Sequence, residues 1–254
     1  MRANNVVRLR DCKNTKIHGS ECNGNTGQAW SPAIQIESIT SGLHTENIEI
    51  YENYIHDTYG PGIWLACSVS GSTGINIHNN LILRCGQMPA DNNIPGVGGI
   101  VFDGFSNVSI TNNTIVDSYG YGILAGNYLL DSNVSGSATI SNNIITGTHK
   151  SFTQGLYSGT AIANHTSTRN KLECSHNCLW GNVQDLYAVT QTSGIYKDPL
   201  FTSDYNLLAD SPCKGLGCYS VDSSSKLLIS CNEGDIKTVT NVLPENYKVY
   251  KRER

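Results

Sequence analysis

The fold that this sequence predicts is all-β: a right-handed, single-stranded parallel β-helix of about six coils sharing one asparagine ladder. Two observations predict it. A single template, apolar-x-apolar-x-x-Asn-x-apolar, recurs along the chain, and a second strand signal opening on Gly or Ala follows most copies after a variable gap.

Four copies match the template closely: Ile48-x-Ile50-x-x-Asn53-x-Ile55, Ile75-x-Ile77-x-x-Asn80-x-Ile82, Val108-x-Ile110-x-x-Asn113-x-Ile115 and Ala138-x-Ile140-x-x-Asn143-x-Ile145. A weaker copy, Thr15-x-Ile17-x-x-Ser20-x-Cys22, precedes them, and Leu172-x-Cys174-x-x-Asn177-x-Leu179 follows. The ladder positions 20, 53, 80, 113, 143 and 177 are therefore 33, 27, 33, 30 and 34 residues apart. Apolar residues alternate with polar ones in each copy, the period of a strand with one face buried, and Asn breaks the alternation where the chain turns a corner. Coils stacked at roughly 4.8 Å let each Asn hydrogen-bond its neighbours above and below, which satisfies polar groups that burial would otherwise leave unpaired.

The second signal reads Ala33-Ile34-Gln35-Ile36, Gly62-Ile63-Trp64-Leu65, Gly99-Ile100-Val101-Phe102, Gly122-Ile123-Leu124-Ala125 and Ala161-Ile162-Ala163. Three short strands per coil result. A leucine-rich repeat shares the core pattern, but its repeat is a steadier ~20–29 residues with a helical segment, and neither feature is present here.

The bulk numbers agree with one soluble body: 254 residues, 39% hydrophobic and 15% charged, with 25 Gly and 13 Tyr favouring strands and tight turns over long helices. Residues 1–219 read as the β-helix domain. Residues 220–254 read as a C-terminal tail or the start of a following segment, with Ser223-Ser224-Ser225 as a linker. The net charge of −4 and the lack of a basic stripe argue against nucleic acid as a partner. No apolar run approaches the ~18 residues of a membrane span. No leader follows Met1, and the chain opens inside a strand at Val6-Val7-Arg8-Leu9, so a leader and earlier coils are expected upstream. The strand edge this leaves needs cover, and a homotrimer is one way to supply it.

Of nine Cys, Cys174 and Cys178 (with His176 between them) and Cys213 and Cys218 have spacings that a zinc site could use. Cys174 falls on a core position of the repeat, however, so burial as small apolar residues is the better reading. His18, His44, His78, His149, His165 and His176 do not share one column and read mostly as surface or turn residues, and the Asn-x-Ser/Thr triplets at Asn107, Asn112, Asn133 and Asn164 as chance. No cofactor is expected, calcium being the one ion left open.

These copies resemble the parallel β-helix repeats of the pectate-lyase-like superfamily over roughly residues 5 to 215. Asp198-Pro199-Leu200-Phe201, Asp204-Tyr205-x-Leu207 and Ser211-Pro212-Cys213 resemble the last coil and cap of secreted or surface β-helix proteins. Asn53-Tyr54-Ile55-His56-Asp57 with Gly60-Pro61-Gly62-Ile63-Trp64 is most similar to the archaeal disaggregatase group. That resemblance implies an extracellular or cell-surface protein that loosens cell aggregates by degrading a matrix polysaccharide. No family catalytic motif carries over residue by residue.

Equivalent repeat positions stack into columns, so the alignment doubles as a search for a site. Four residues past the ladder lie Asp57, Arg84 and Asp117, a carboxylate–guanidinium–carboxylate column. Two further on are Tyr59 and Tyr119, with Tyr121 and neighbouring His56 close by, as candidates for contact with sugars. Beside them, alternation is expected to expose Arg8, Arg10, Gln35, Glu37, Trp64, Val101, Asp103 and Leu124 on the Gly-led strands, where the resemblance places substrate. Long gaps from Cys85 to Gly98 and Gly147 to Gly159 would wall that groove. Hydrolysis would pair Asp103 with Asp57 or Asp117. Elimination would use Arg84 to neutralise a uronate while Tyr59 or His56 moves the proton. The column reads equally as a solvated ion-pair stack, and a non-catalytic glycan-binding or surface module is the alternative to an enzyme.

Overall fold

The computed structural model describes residues 7–23, 32–87, 97–126, 134–150, 158–165, 170–218, 228–231, 238–240 and 248–251. The two long gaps before the Gly-led strands, Asn133 and the Ser223-Ser224-Ser225 linker lie wholly or largely outside them.

Each of six coils contributes one strand to each of three parallel sheets and a partial seventh adds a strand to two of them, so the chain is the parallel β-solenoid its repeat predicts. The first sheet holds the Gly-led strands Val7–Arg10, Ile34–Ser38, Ile63–Cys67, Gly98–Asp103, Tyr121–Ala125, Thr160–Asn164 and Gln184–Tyr187. The second holds the template's first strand, Lys13–His18, Glu46–Tyr51, Thr73–His78, Ser106–Thr111, Ser137–Ser141, Lys171–Ser175 and Gln191–Thr192. The third, six strands deep, runs Glu21–Asn23, Tyr54–His56, Leu81–Leu83, Thr114–Val116, Ile144–Thr146 and Cys178–Trp180. Register follows the sequence repeat: Ile48 pairs with Ile75, Ile75 with Val108 and Val108 with Ala138. The apolar template residues meet in one core, with Ile17, Ile50, Ile77, Ile110 and Ile140 fully buried.

The ladder sits at the corner between the second and third sheets. Asn53, Asn80, Asn113, Asn143 and Asn177 are all wholly buried. Each Nδ2 donates to the next Asn Oδ1, at 3.0, 2.9, 3.0 and 2.9 Å up the stack, and Gln191 Oε1 closes the series at 3.2 Å. Each Oδ1 also accepts the backbone N–H of the ladder residue one coil below, starting with Ser20 at 3.2 Å. The residues just before the ladder, Gly19, Glu52, Asn79, Asn112, Asn142 and His176, all turn the chain with φ between 54° and 57°. Four of the six are Gly or Asn, the types that adopt this conformation most readily.

Two segments leave the repeat. Residues 198–218 do not close the end of the solenoid as the sequence suggested. They fold back along the outer face of the third sheet, where Gly217 N–H donates to Asn142 O (2.8 Å) and Cys218 N–H to Thr114 Oγ1 (3.0 Å). The reason is the outward column Thr114, Ile144 and Cys178, uncharged side chains that this strap leaves 1% exposed or less. At the opposite end, Thr238–Thr240 pairs antiparallel with Val7–Arg10 and Leu228–Cys231 antiparallel with Lys13–His18. Residues beyond the repeat thus cover two of the first coil's three strand edges, while Glu21–Asn23 ends the third sheet. Among the described residues no helix is long and apolar enough to cross a membrane.

Candidate functional site

Where the third sheet turns toward the first, the chain again adopts positive φ: 53° at Asp57, 49° at Arg84 and 53° at Asp117, then 66° at Gly147 and 65° at Gly181. The column seen in the sequence is therefore a column of left-handed corners. Asp tolerates this conformation and Gly favours it, whereas a long side chain such as Arg adopts it at a cost of roughly 1–2 kcal/mol. Arg84 is the unexpected member.

Its side chain explains what the strain holds in place. Arg84 Nε donates to Asp57 Oδ1 (2.6 Å) and Nη2 to Asp57 Oδ2 (2.8 Å), a bidentate pair between consecutive coils. Gln87 Nε2 adds a bond to Asp57 Oδ1 (3.3 Å) and is tied back to Arg84 O (2.7 Å). His56 Nδ1 lies 2.7 Å from Asp57 Oδ2 and its Nε2 3.1 Å from Glu21 Oε1, while Tyr54 stacks on the same imidazole at 4.2 Å. The Arg84 guanidinium, and secondarily His56, hold the Asp57 carboxyl down to about 2, against the opposing effect of partial burial. Arg84 is correspondingly held up by Asp57, with Tyr54 and Tyr205 of the strap also within its electrostatic reach. Both ionic side chains remain well exposed, at 38% and 42%.

One coil further on, Asp117 Oδ1 faces His149 Nε2 at 3.4 Å, and the His149 ring lies tilted against Tyr119, 5.3 Å between centroids. Tyr59, Gly86, Tyr119 and His149 form the next column outward. Gly147, one coil further on, is needed next to Asp117: a Cβ there would strike the Asp117 carboxylate.

The face of the Gly-led sheet departs from expectation. Glu37, Val101, Asp103 and Leu124 point away from the core but are at most 4% exposed. Val101, Tyr121, Leu124 and Ala163 make a second apolar cluster, with Trp64 packed against it. Alternation gives the direction of a side chain, not whether the face stays open, and Val101, Tyr121, Leu124 and Ala163 are apolar enough for the sheet to be buried on both faces there. Glu37 is clamped by Arg8 (2.6 Å), Arg10 (2.8 Å) and Gln35 (2.7 Å), and Asp103 accepts from Asn170 (3.2 Å). Tyr121 meets His165 edge-on at 5.2 Å. Trp64 and Tyr121 thus serve packing on this sheet.

The structure does not bring Asp103 together with Asp57 or Asp117. Asp103 is level with Ala66, at the far end of Ile63–Cys67 from the corner. The stretch from Ile63 to Ala66 alone spans ~10 Å, beyond the ~5–9.5 Å between carboxylates that glycoside hydrolysis uses. Asp57 and Asp117 stand two coils, ~10 Å, apart with Arg84 between them.

Glu21, Tyr54, Gln87, His149 and Tyr205 join this corner without having stood out in the sequence. Tyr54 and Glu21 share the position after the ladder, so the repeat itself stacks them. Tyr205 arrives from the strap, which no repeat register could place. The six histidines do not form one column, although His18 and His78 share theirs, with Tyr51 stacked between them at 4.9 and 5.1 Å on the second sheet. Among the described residues no group of three His, Cys, Asp or Glu side chains could hold a metal ion.

A parallel β-solenoid carrying an ionic and aromatic corner is the class that fold and site define. A family model described as "Disaggregatase related" matches residues 45–224, more than half of the chain, and the protein belongs to that family. No curated protein and no solved structure matches it.

Proposed function

We propose that the protein degrades an acidic matrix polysaccharide, held along the corner column across the second to fifth coils, by elimination rather than hydrolysis. The observation that carries this reading is the geometry of charge. Arg84 is a fixed, solvent-facing cation, and His149 beside Asp117 is an exposed imidazole with one nitrogen directed at a carboxylate. Glu21 and Asp57, bridged by one imidazole, are carboxylates at hydrolytic spacing, but Arg84 holds Asp57 ionised and so unable to serve as the acid.

In this reading the guanidinium edge that Asp57 does not use meets a uronate carboxylate and stabilises the charge that develops when the neighbouring proton leaves. His149, two coils or ~10 Å along the stack from Arg84 and oriented by Asp117 through Nε2, accepts that proton from the opposite side of the same sugar. Tyr59 and Tyr119 offer ring surface to sugars on successive coils. His56, bonded through both nitrogens and 12% exposed, positions Asp57 and does not act as the base. Family membership supports action on material that holds cells together, and an extracellular or cell-surface location goes with the same proposal.

A non-catalytic glycan-binding module is the second reading, favoured by the complete pairing of Asp57 and its depressed pKa, which leave it unable to act as an acid. Incubation with a panel of acidic and neutral polysaccharides separates the two. New ultraviolet absorbance near ~235 nm together with new reducing ends supports elimination. Reducing ends alone overturn it in favour of hydrolysis, and retention on a glycan column without turnover supports the module.

A further inference from the structure

The strap and the sixth coil each bring a cysteine to one place. Cys178 occupies the outward position of Cys178–Trp180, in line with Ile144, and is fully buried. Cys213, also fully buried, lies in the strap, where its N–H donates to Ser211 Oγ (3.0 Å) and its carbonyl accepts from Leu216 N–H (3.0 Å). Four residues on, the strap is anchored against Thr114 and Ile144, the same outward column that contains Cys178. Ile144, Cys178 and Cys213 form one cluster, walled by Ile195, Phe201, Leu207 and Leu216.

These two thiols differ from the other buried cysteines. Cys22 and Cys174 sit on core positions inside the coils, where burial pushes each thiol up to about 12 and each serves as a small apolar side chain. Cys178 and Cys213 instead interact with each other: the contact raises Cys178 and lowers Cys213, with the Cys178 thiol also turned to Lys197 O at 3.3 Å. Both are free thiols in this structure.

We infer that Cys178 and Cys213 are a disulfide-forming pair that staples the strap to the side of the solenoid. The step consumes a small-molecule disulfide: one cysteine thiolate attacks it, one equivalent of thiol leaves, and the second cysteine displaces the other. Two protein thiols become one S–S bond, and the oxidant is reduced to two thiols. The bond closes a loop of 36 residues, Cys178 to Cys213, that includes Tyr205, and so fixes the segment beside Arg84.

The test uses the full chain, purified in dithiothreitol and then either kept reduced or equilibrated with oxidised glutathione. Alkylation, digestion and mass spectrometry without reductant should give one linked peptide containing Cys178 and Cys213. The oxidised protein should melt about 5–10 °C higher than the reduced one, and dithiothreitol should reverse the shift. Cys213→Ser should show no oxidant-dependent shift. Recovery of Cys178 and Cys213 as alkylated free thiols after oxidation, or linked to other cysteines, overturns the inference, and this readout needs no variant to fold.

Discussion

At Arg84 backbone and side chain pull in opposite directions. A φ of 49° costs an arginine what a glycine would not incur, yet the same corner aims the guanidinium at Asp57 on the coil below. Arg84→Gly should relieve the backbone and lose a pair that is largely open to solvent, so its stability in urea should stay within about 1 kcal/mol of the wild type. The change should instead appear in Asp57. Its carboxyl, held to about 2 against an ordinary 3.8, should titrate close to the ordinary value in Arg84→Gly by carbon-detected NMR. A carboxyl depressed in the folded state stabilises the fold above its unfolded pKa. The contribution of this pair is therefore complete above pH ~4 and is lost as pH falls through about 2, a loss that Arg84→Gly should largely lack. Gly147→Ala tests the corner from the other side. With φ at 66° and the Asp117 carboxylate in the way, it should cost roughly 1–3 kcal/mol in urea denaturation.

Along the ladder, each Asn serves three neighbours at once. Asn113 accepts from Asn80 Nδ2 and from Asn80 N–H, and donates to Ile77 O and Asn143 Oδ1, all in a site with no water access. Asn113→Ala would leave donors on Asn80 and acceptors on Asn143 and Ile77 without it, at a cost of about 2–4 kcal/mol by urea denaturation. Asn177→Ala, at the end where the bond to Gln191 is longer at 3.2 Å, should cost less. This element was legible because Asn recurs at a fixed offset from Ile-x-Ile while the spacing between copies varies from 27 to 34 residues, which a leucine-rich repeat does not do. The Gly-led strands were legible as strands but not as a closed surface: Val101 and Leu124 signalled direction by alternation, while the burial of Glu37 and Asp103 depends on packing that alternation does not encode. Arg84 was found by column, yet its left-handed backbone was not, since an arginine gives no local sign of positive φ. His149 was missed because it meets Asp117 from the adjacent column, two residues beyond Gly147.

For the whole molecule, the parallel stack has two ends and an outer side to protect, and residues after the last coil serve two of these needs. The strap covers Thr114, Ile144 and Cys178, and the strands Leu228–Cys231 and Thr238–Thr240 pair with the first coil. Both placements were illegible in the sequence, because contacts made once, between a repeat and a segment without one, leave no periodic trace. Deleting residues 220–254 should uncover two strand edges and produce concentration-dependent self-association in light scattering, whereas the 254-residue chain should keep one mass across the same range.

The claim at the centre of this account is that Arg84 and His149 act together on an acidic polysaccharide. The most direct measurement compares initial rates of unsaturated-product formation for wild type, Arg84→Gly and His149→Ala on the same uronate polymer, with circular dichroism showing each folded. Both variants should lose at least ~100-fold in rate, the scale of a lost general base or charge-stabilising group. Equal rates in all three proteins would place the chemistry elsewhere and contradict the account.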